Sequence, residues 1–323
     1  MRKLRYALAA AALAGATVIT TQQIQLSPVA QTAVDPALNS PYLYDWENKQ
    51  DPVKVMAATG IKSFTLAFIT DKPNGQCTPG WDNTGDLTRD VAKIAAIRAA
   101  GGDVTVSIGG ATGPNIQKNK LGVNCADANA LAAAYQKVID TLKVTAIDID
   151  AENEEYKDLA VIDKITKALK IVKDDNPGLK TVITVPTTKN GPIAGGTEFI
   201  KKAKSNNSNI DLITVMPFDF YDGTSDIPAA TRTAVDGLKK QVQDTFGLTD
   251  AEAYKRVGFS GMNGKDDEGK ITDLNGWNQI LAYATEKHVG RVSFWSVNRD
   301  YTSGSGVPQT DLAFTKALAG FTG

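Results

Sequence analysis

From residue 40 onward the chain alternates between two hydrophobic rhythms. Short runs rich in β-branched and aromatic residues stand at 41–46 (PYLYDW), 62–69 (KSFTLAFI), 103–110 (DVTVSIGG) and 144–150 (VTAIDID). Four more follow at 180–186 (KTVITVP), 211–220 (DLITVMPFDF), 256–261 (RVGFSG) and 291–297 (RVSFWSV). Between them apolar residues recur every three or four positions, most clearly in LTRDVAKIAAIRAAG, ADANALAAAYQKVIDTLK and LAVIDKITKALKIVKDD; that spacing predicts amphipathic helices. Helix stops at Gly60, Gly101 and Asn176-Pro177-Gly178 fall just ahead of strands. Strands that are largely apolar on both faces and alternate with helices make a parallel α/β protein. Eight such repeats in about 280 residues predict a single (β/α)8 TIM barrel over residues 39–323. A doubly wound open sheet fits less well, because no Gly-rich phosphate turn follows the first strand.

The N-terminus breaks this rhythm. Arg2, Lys3 and Arg5 precede a short Ala-, Leu- and Val-rich run, with Ala14-Gly15-Ala16 as one candidate cleavage site; the pattern is that of a secretory signal. The run is too short and too rich in alanine for a membrane span. Residues 1–38 are therefore read as signal peptide and flexible leader, and the processed chain is expected outside the cell and off the membrane. In that compartment the two cysteines, Cys77 and Cys125, are expected to form one disulfide.

Charge and histidine count narrow the chemistry. With 35 basic and 36 acidic residues, the formal net charge is −1, which argues against a nucleic-acid partner held by phosphate neutralisation. The lone histidine, His288, ends a helical run just before a strand, where an imidazole serves the helix terminus. Ser-His-Asp and Cys-His catalysis then fall away, and two cysteines with one histidine do not make an ordinary zinc site. No metal and no cofactor is expected.

What remains is carboxylates. Asp148, Asp150 and Glu152 occupy alternate positions at the end of the fourth strand run, interleaved with Ile147, Ile149 and Ala151. Alternate strand residues share a face, so the acids should line the barrel interior and its mouth while the isoleucines face the helices. Three acids so close cannot all ionise comfortably; Glu152, the outermost, is the expected proton donor. Other unusual residues also fall at strand C-termini, the working end of such barrels. Ser107, Gly109 and Gly110 end the third run, Asp219 the sixth and Trp295 the eighth. Glu154 and Glu155 read as solvated, Trp277 as core, and Trp46 and Trp81 as mouth-loop residues that could extend a groove. An alternative use of the acid row is to ligate a hard divalent cation, with Asp219 as a further ligand.

Together these motifs resemble those of family 18 glycoside hydrolases, the chitinases and their relatives, over residue 40 to the end. Asp148–Glu152 (DIDAE) matches that family's Asp-x-Asp-x-Glu, and Ser107–Gly110 (SIGG) its Ser-x-Gly-Gly. Met216–Asp219 (MPFD) matches the sixth-strand motif, and Trp295 in FWSVNRD the eighth-strand tryptophan. The runs FTLAFI and VSFWSVNRD look most like the compact secreted bacterial enzymes. The resemblance implies substrate-assisted, retaining cleavage of β-1,4-linked N-acetylglucosamine polymers by a monomer that binds chitin or a related oligosaccharide. Glu152 would be the general acid. Asp150 would orient the substrate acetamido group, and Asp148 would share a proton with Asp150. Trp295 would floor the sugar site, with Asp219, Met216, Phe218 and Tyr221 in further substrate contact; Ser107, Gly109 and Gly110 would support the row. Two departures stand out. Thr145 and Ala146 replace the family's Asp-Gly, and Phe218 replaces a tyrosine for which Tyr221 is the candidate substitute. Other readings are an endo-β-N-acetylglucosaminidase acting on N-glycans, or a glycan-binding relative with weak catalysis.

Overall fold

The computed structural model describes residues 34–73, 75–83, 85–111 and 119–323. The segment read above as a signal, and most of the expected leader, lie outside them. Eight parallel strands form: β1 Tyr42–Leu43, β2 Ser63–Asp71, β3 Asp103–Gly109, β4 Ala146–Asp150, β5 Lys180–Thr188, β6 Leu212–Met216, β7 Val257–Met262 and β8 Arg291–Trp295. Each pairs with the next in order. A parallel bridge from Asn39 to Val292 returns β8 to the segment before β1 and closes the ring. The helices that follow the strands are α1 Pro52–Thr59, α2 Val91–Ala99, α3 Ala128–Leu142, α4 Leu159–Asp175, α5 Ala194–Ser205, α6 Ile227–Phe246, α7 Leu274–Lys287 and α8 Ala313–Ala319. The predicted (β/α)8 barrel is the observed fold.

Local chemistry starts the helices where the strands stop. Asp51, Asp127, Asp158, Asp226 and Asp273 accept first-turn N–H groups at the N-termini of α1, α3, α4, α6 and α7, each cap contributing about 1 kcal/mol. The sixth strand run departs from its predicted length. It breaks after Met216, where Pro217 interrupts the ladder and Asp219 takes a left-handed conformation (φ 48°). Asp219 therefore sits in the loop beyond β6 rather than at the strand end.

Parity along each strand separates two cores. Val104, Val106, Ile147, Ile149, Ile183, Phe259 and Phe294 pack outward in the apolar layer shared with the helices. Trp277 is fully buried there, edge-on to Phe259, Phe294 and Phe314. The opposite parity is polar and also buried: Thr65, Thr105, Ser107, Asp148, Thr184, Thr214, Ser260 and Ser293. The barrel interior is thus packed with hydroxyls that can serve a charge.

Residues 35–38, set aside above with the leader, belong to the barrel. Thr105 donates to the Pro36 carbonyl at 2.7 Å, buried Arg291 donates to the Ala37 carbonyl at 2.6 Å, and Ala37 packs on Val182 and Leu212. The carbonyl it offers to a buried guanidinium, together with the packing of Ala37, ties this segment to the barrel. His288 is the left-handed C-cap of α7 (φ 55°) and is exposed, at the end of the barrel opposite the strand C-termini. Cys77 and Cys125 form a disulfide between the loop after β2 and the segment leading into α3, with Cα atoms 4.7 Å apart.

Candidate active site

The fourth strand delivers its acids to the mouth as its alternation predicts. Asp148 lies in register with Ser107 on β3 and Val182 on β5; Asp150 lies in register with Gly109 and Thr184. Three hydroxyls converge on Asp148: Tyr42 and Ser107 donate to one oxygen at 2.8 and 2.7 Å, and Thr184 to the other at 2.7 Å. A carboxylate so occupied by hydrogens has little left for a cation, which weighs against the metal-ligand reading.

Tyr42 was not singled out from the sequence, yet it joins the parts of the site. Its hydroxyl also lies 3.3 Å from Asp150 Oδ2, and its ring is tilted against the Trp295 indole at 5.6 Å. Burial, then the charges of Asp148 and Asp150, hold its phenol well above the ordinary value, so it stays a hydrogen-bond donor. Asp150 is buried, and its Oδ1 has no hydrogen-bond partner among the described residues. Burial, followed by the charges of Glu152 and Asp148, pushes its carboxyl well above the usual range. Glu152 lies just past the strand in extended conformation and is partly exposed. Burial raises its carboxyl, as do the charges of Glu155 and Asp219; the Lys120 ammonium and the Ala111 N–H oppose the rise. Both Asp150 and Glu152 are therefore raised, each by burial and by its acidic neighbours.

Ser107, Gly109 and Gly110 stand where the motif places them. Gly109 has φ 114°, and a Cβ there would come within 2.3 Å of the Asp150 carbonyl; at Gly110, with φ 79°, it would strike the Phe68 ring at 2.5 Å. The missing side chains let β3 hug both the acid row and the aromatic floor.

That floor is an aromatic stack. Trp295 lies nearly parallel to Phe68 (5.6 Å, 9°) and to Tyr44 (5.0 Å, 21°), and Trp46 stacks on Tyr44 at 4.1 Å. Trp46 is 49% exposed and continues the stack outward. Asn298, another residue the sequence did not mark, fixes the loop carrying it. Its Oδ1 accepts from Tyr44 N–H at 3.0 Å, and its amide donates to the carbonyls of Tyr44, Glu47 and Asn48 at 2.9–3.1 Å. Trp81 is different: it is fully buried, with its indole N–H on the Leu87 carbonyl at 3.1 Å, and belongs to the core instead of a groove.

The sixth-strand residues divide. Met216 is buried at the end of β6 and Phe218 is partly exposed just beyond it. The Asp219 carboxylate accepts from the backbone N–H groups of Asp267 and Glu268 at 2.9 and 3.2 Å. Burial and the charges of Asp267 and Asp266 push it up to about 6 against those hydrogen bonds. Its charge still reaches Glu152. Tyr221 is 77% exposed, and its backbone N–H is held by Glu268 at 2.7 Å; its ring is not packed into the acid row.

Glu155 corrects an expectation. It is 2% exposed rather than solvated and lies 3.5 Å from the fully buried Lys120. Lys120 also donates to the Gly110 carbonyl. A lysine and a glutamate in two separate loops give no sequence signal of burial, because only the closure of the fold brings residues 120 and 155 together.

Residues 40–265 match the family described as glycosyl hydrolases family 18. The chain is 26% identical over 276 residues to "Probable bifunctional chitinase/lysozyme" of Escherichia coli (strain K12), covering 80% of this chain and 30% of that protein. It is likewise 26% identical over 255 residues to "Endochitinase 11" of Metarhizium anisopliae, covering 74% and 48% respectively. The chain thus spans less than half the length of either curated relative. The catalytic domain of a hyperthermophilic chitinase from Pyrococcus furiosus superposes with a TM-score of 0.79 at 27% identity, over 90% of this chain and 97% of that one.

Proposed function

The chain belongs to glycosyl hydrolase family 18, and we propose that it cleaves β-1,4-linked N-acetylglucosamine chains such as chitin by a substrate-assisted, retaining mechanism. The observation that carries this is the acid row: a buried Asp150, its carboxyl raised by burial and by its acidic neighbours, between a hydroxyl-bound Asp148 and Glu152 at the mouth. The P. furiosus and M. anisopliae relatives are named chitinases, which supports the substrate class.

Glu152, holding a proton above the ordinary carboxylate range, gives it to the scissile oxygen as the bond breaks. The substrate's acetamido carbonyl attacks the anomeric carbon, forming an oxazolinium ion; such enzymes stand outside the two-carboxylate scheme. Asp150, whose Oδ1 has no hydrogen bond of its own, leaves its proton with Asp148 as it turns, and the carboxylate so formed accepts from the acetamido N–H and offsets the oxazolinium charge, with Tyr42 still donating to Asp148. Trp295 stacks beneath the sugar ring. Glu152 then draws a proton from the water that opens the oxazolinium, restoring the acid. All these groups come from one chain, so a monomer suffices, and no cofactor enters the scheme. The basic start of the N-terminus and the Cys77–Cys125 bond support export to the extracellular space. Met216 at the end of β6, and Phe218, Asp219 and Tyr221 on the loop beyond it, are assigned to substrate contact.

A glycan-binding protein with weak catalysis draws support from Phe218, which cannot donate the hydrogen bond of a tyrosine. The two readings part on Glu152→Gln. Hydrolysis requires turnover on N-acetylglucosamine oligomers to fall at least about 10³-fold, with oligosaccharide affinity held within about threefold. Unchanged turnover would remove Glu152 as the acid. Running peptidoglycan fragments and an N-glycosylated protein alongside tests the lysozyme-named E. coli relative's substrate class and the endo-β-N-acetylglucosaminidase alternative.

A further inference from the structure

Beneath Glu152 lies a charged pair for which the scheme above has no use. Lys120 is 0% exposed and Glu155 2%, and Lys120 Nζ is 3.5 Å from Glu155 Oε2. Burying two charges is costly, and an apolar pair of the same volume packs at least as well. The contacts of this pair say what it does for the site. Lys120 donates to the carbonyl of Gly110, whose own N–H donates to the Asp150 carbonyl at 2.9 Å. The backbone N–H of the next residue, Ala111, favours the charged form of Glu152. On the other side, Glu155 closes the short turn that Glu152 opens, its N–H donating to the Glu152 carbonyl at 3.2 Å. Gly122 packs against Glu155, because a Cβ there would lie 2.7 Å from Oε1. One ammonium thus ties the end of β3 to the turn after β4, and Glu152 is suspended between those two anchors.

We propose that Lys120, paired with Glu155, is a positioning residue for Glu152: it clamps the turn from which the acid reaches the mouth and sets a buried positive charge beside the three-acid row. This rests on the reading of Glu152 as general acid. The groups that face Glu152 are Lys120, Glu155, Asp150 and Asp219, with Asp148 and the Tyr42 phenol behind Asp150. Of these, Lys120 is the chief influence drawing the Glu152 carboxyl down, while Glu155 and Asp219 push it up. Removing the ammonium should therefore let Glu152 hold its proton to higher pH, and removing the Glu155 charge alone should do the reverse.

The test is a carboxyl-13C NMR titration of the full chain labelled at its glutamates, eight in all, with the Glu152 resonance assigned through Glu152→Gln. Lys120→Met leaves Glu155 unpaired, so the variant Lys120→Met/Glu155→Gln is carried beside it to keep a neutral, foldable pair. The double variant should show a Glu152 midpoint above wild type, and Glu155→Gln one below it. The basic limb of the kcat/KM pH profile on an N-acetylglucosamine oligomer should move the same way in each. In the double variant kcat should fall about ten- to a hundredfold with KM within about twofold, the pattern of a misplaced acid. A Glu152 midpoint equal to wild type in a folded double variant would overturn the proposal, leaving the pair a structural brace. The midpoint is read without substrate, so a wild-type chain that cleaves no oligomer counts against the proposed function and not against this one.

Discussion

At Asp150 a carboxyl sits in the barrel with Tyr42 as its hydrogen-bond donor and acids on both sides. Its folded-state pKa lies above the unfolded one, so the stability it contributes is fully present below the unfolded value and is lost as pH rises through the folded value. Near neutral pH this residue therefore weakens the fold in order to serve the site. Asp150→Asn removes the titration and keeps the shape. Its Tm at pH 7 is expected to rise by about 2 °C, while turnover falls at least about 10²-fold. A thermal melt against pH beside steady-state rates checks both, and a variant that is less stable and fully active would contradict the assignment.

The loops that hold the aromatic floor work at the scale of elements. Four hydrogen bonds with the Asn298 side chain, three donated and one accepted, anchor the segment carrying Tyr44 and Trp46. Asn298→Ala leaves those backbone groups unpaired, an expected loss of about 1–3 kcal/mol. Because the loop carries the stack, KM for oligosaccharides should rise about tenfold with kcat little changed; melting and steady-state kinetics measure the two effects. At this scale the sequence was most informative about strands. Period-two and period-3.6 patterns are imposed by burial along each element, so all eight strands overlap their predicted runs, with β2, β5 and β7 ending one or two residues beyond them. The sixth overran because Phe218 and Phe220 continue the apolar pattern past Pro217, where the backbone turns. The acid row was legible because carboxylates are conspicuous in an apolar strand. Tyr42 was not, since a tyrosine in PYLYDW reads as any strand aromatic and its hydroxyl finds Asp148 only across the closed barrel, 106 residues away. Lys120, Glu155 and Asn298 share that blind spot: each is a polar loop residue made internal by contacts distant in sequence.

In the molecule as a whole, the barrel is closed by pieces from both ends of the ring. The segment at 35–40 fills the bottom and accepts a hydrogen bond from buried Arg291, and the Cys77–Cys125 bond spans a sequence separation of 48. Cross-linking a loop of that length is expected to stabilise by about 4 kcal/mol through the unfolded chain. Cys77→Ala/Cys125→Ala should therefore melt about 7 °C below wild type, whereas an unchanged Tm would make the bond incidental to the fold. The barrel's purpose, on this reading, is to hold three carboxyls so that the substrate supplies its own nucleophile. The most direct test is the anomeric configuration of the first product. Proton NMR during the first minutes of hydrolysis of an N-acetylglucosamine pentamer should show the β-anomer accumulating ahead of mutarotation. An α-anomer at first appearance would mean that water displaces the leaving group directly, and the acid row would then have a different role.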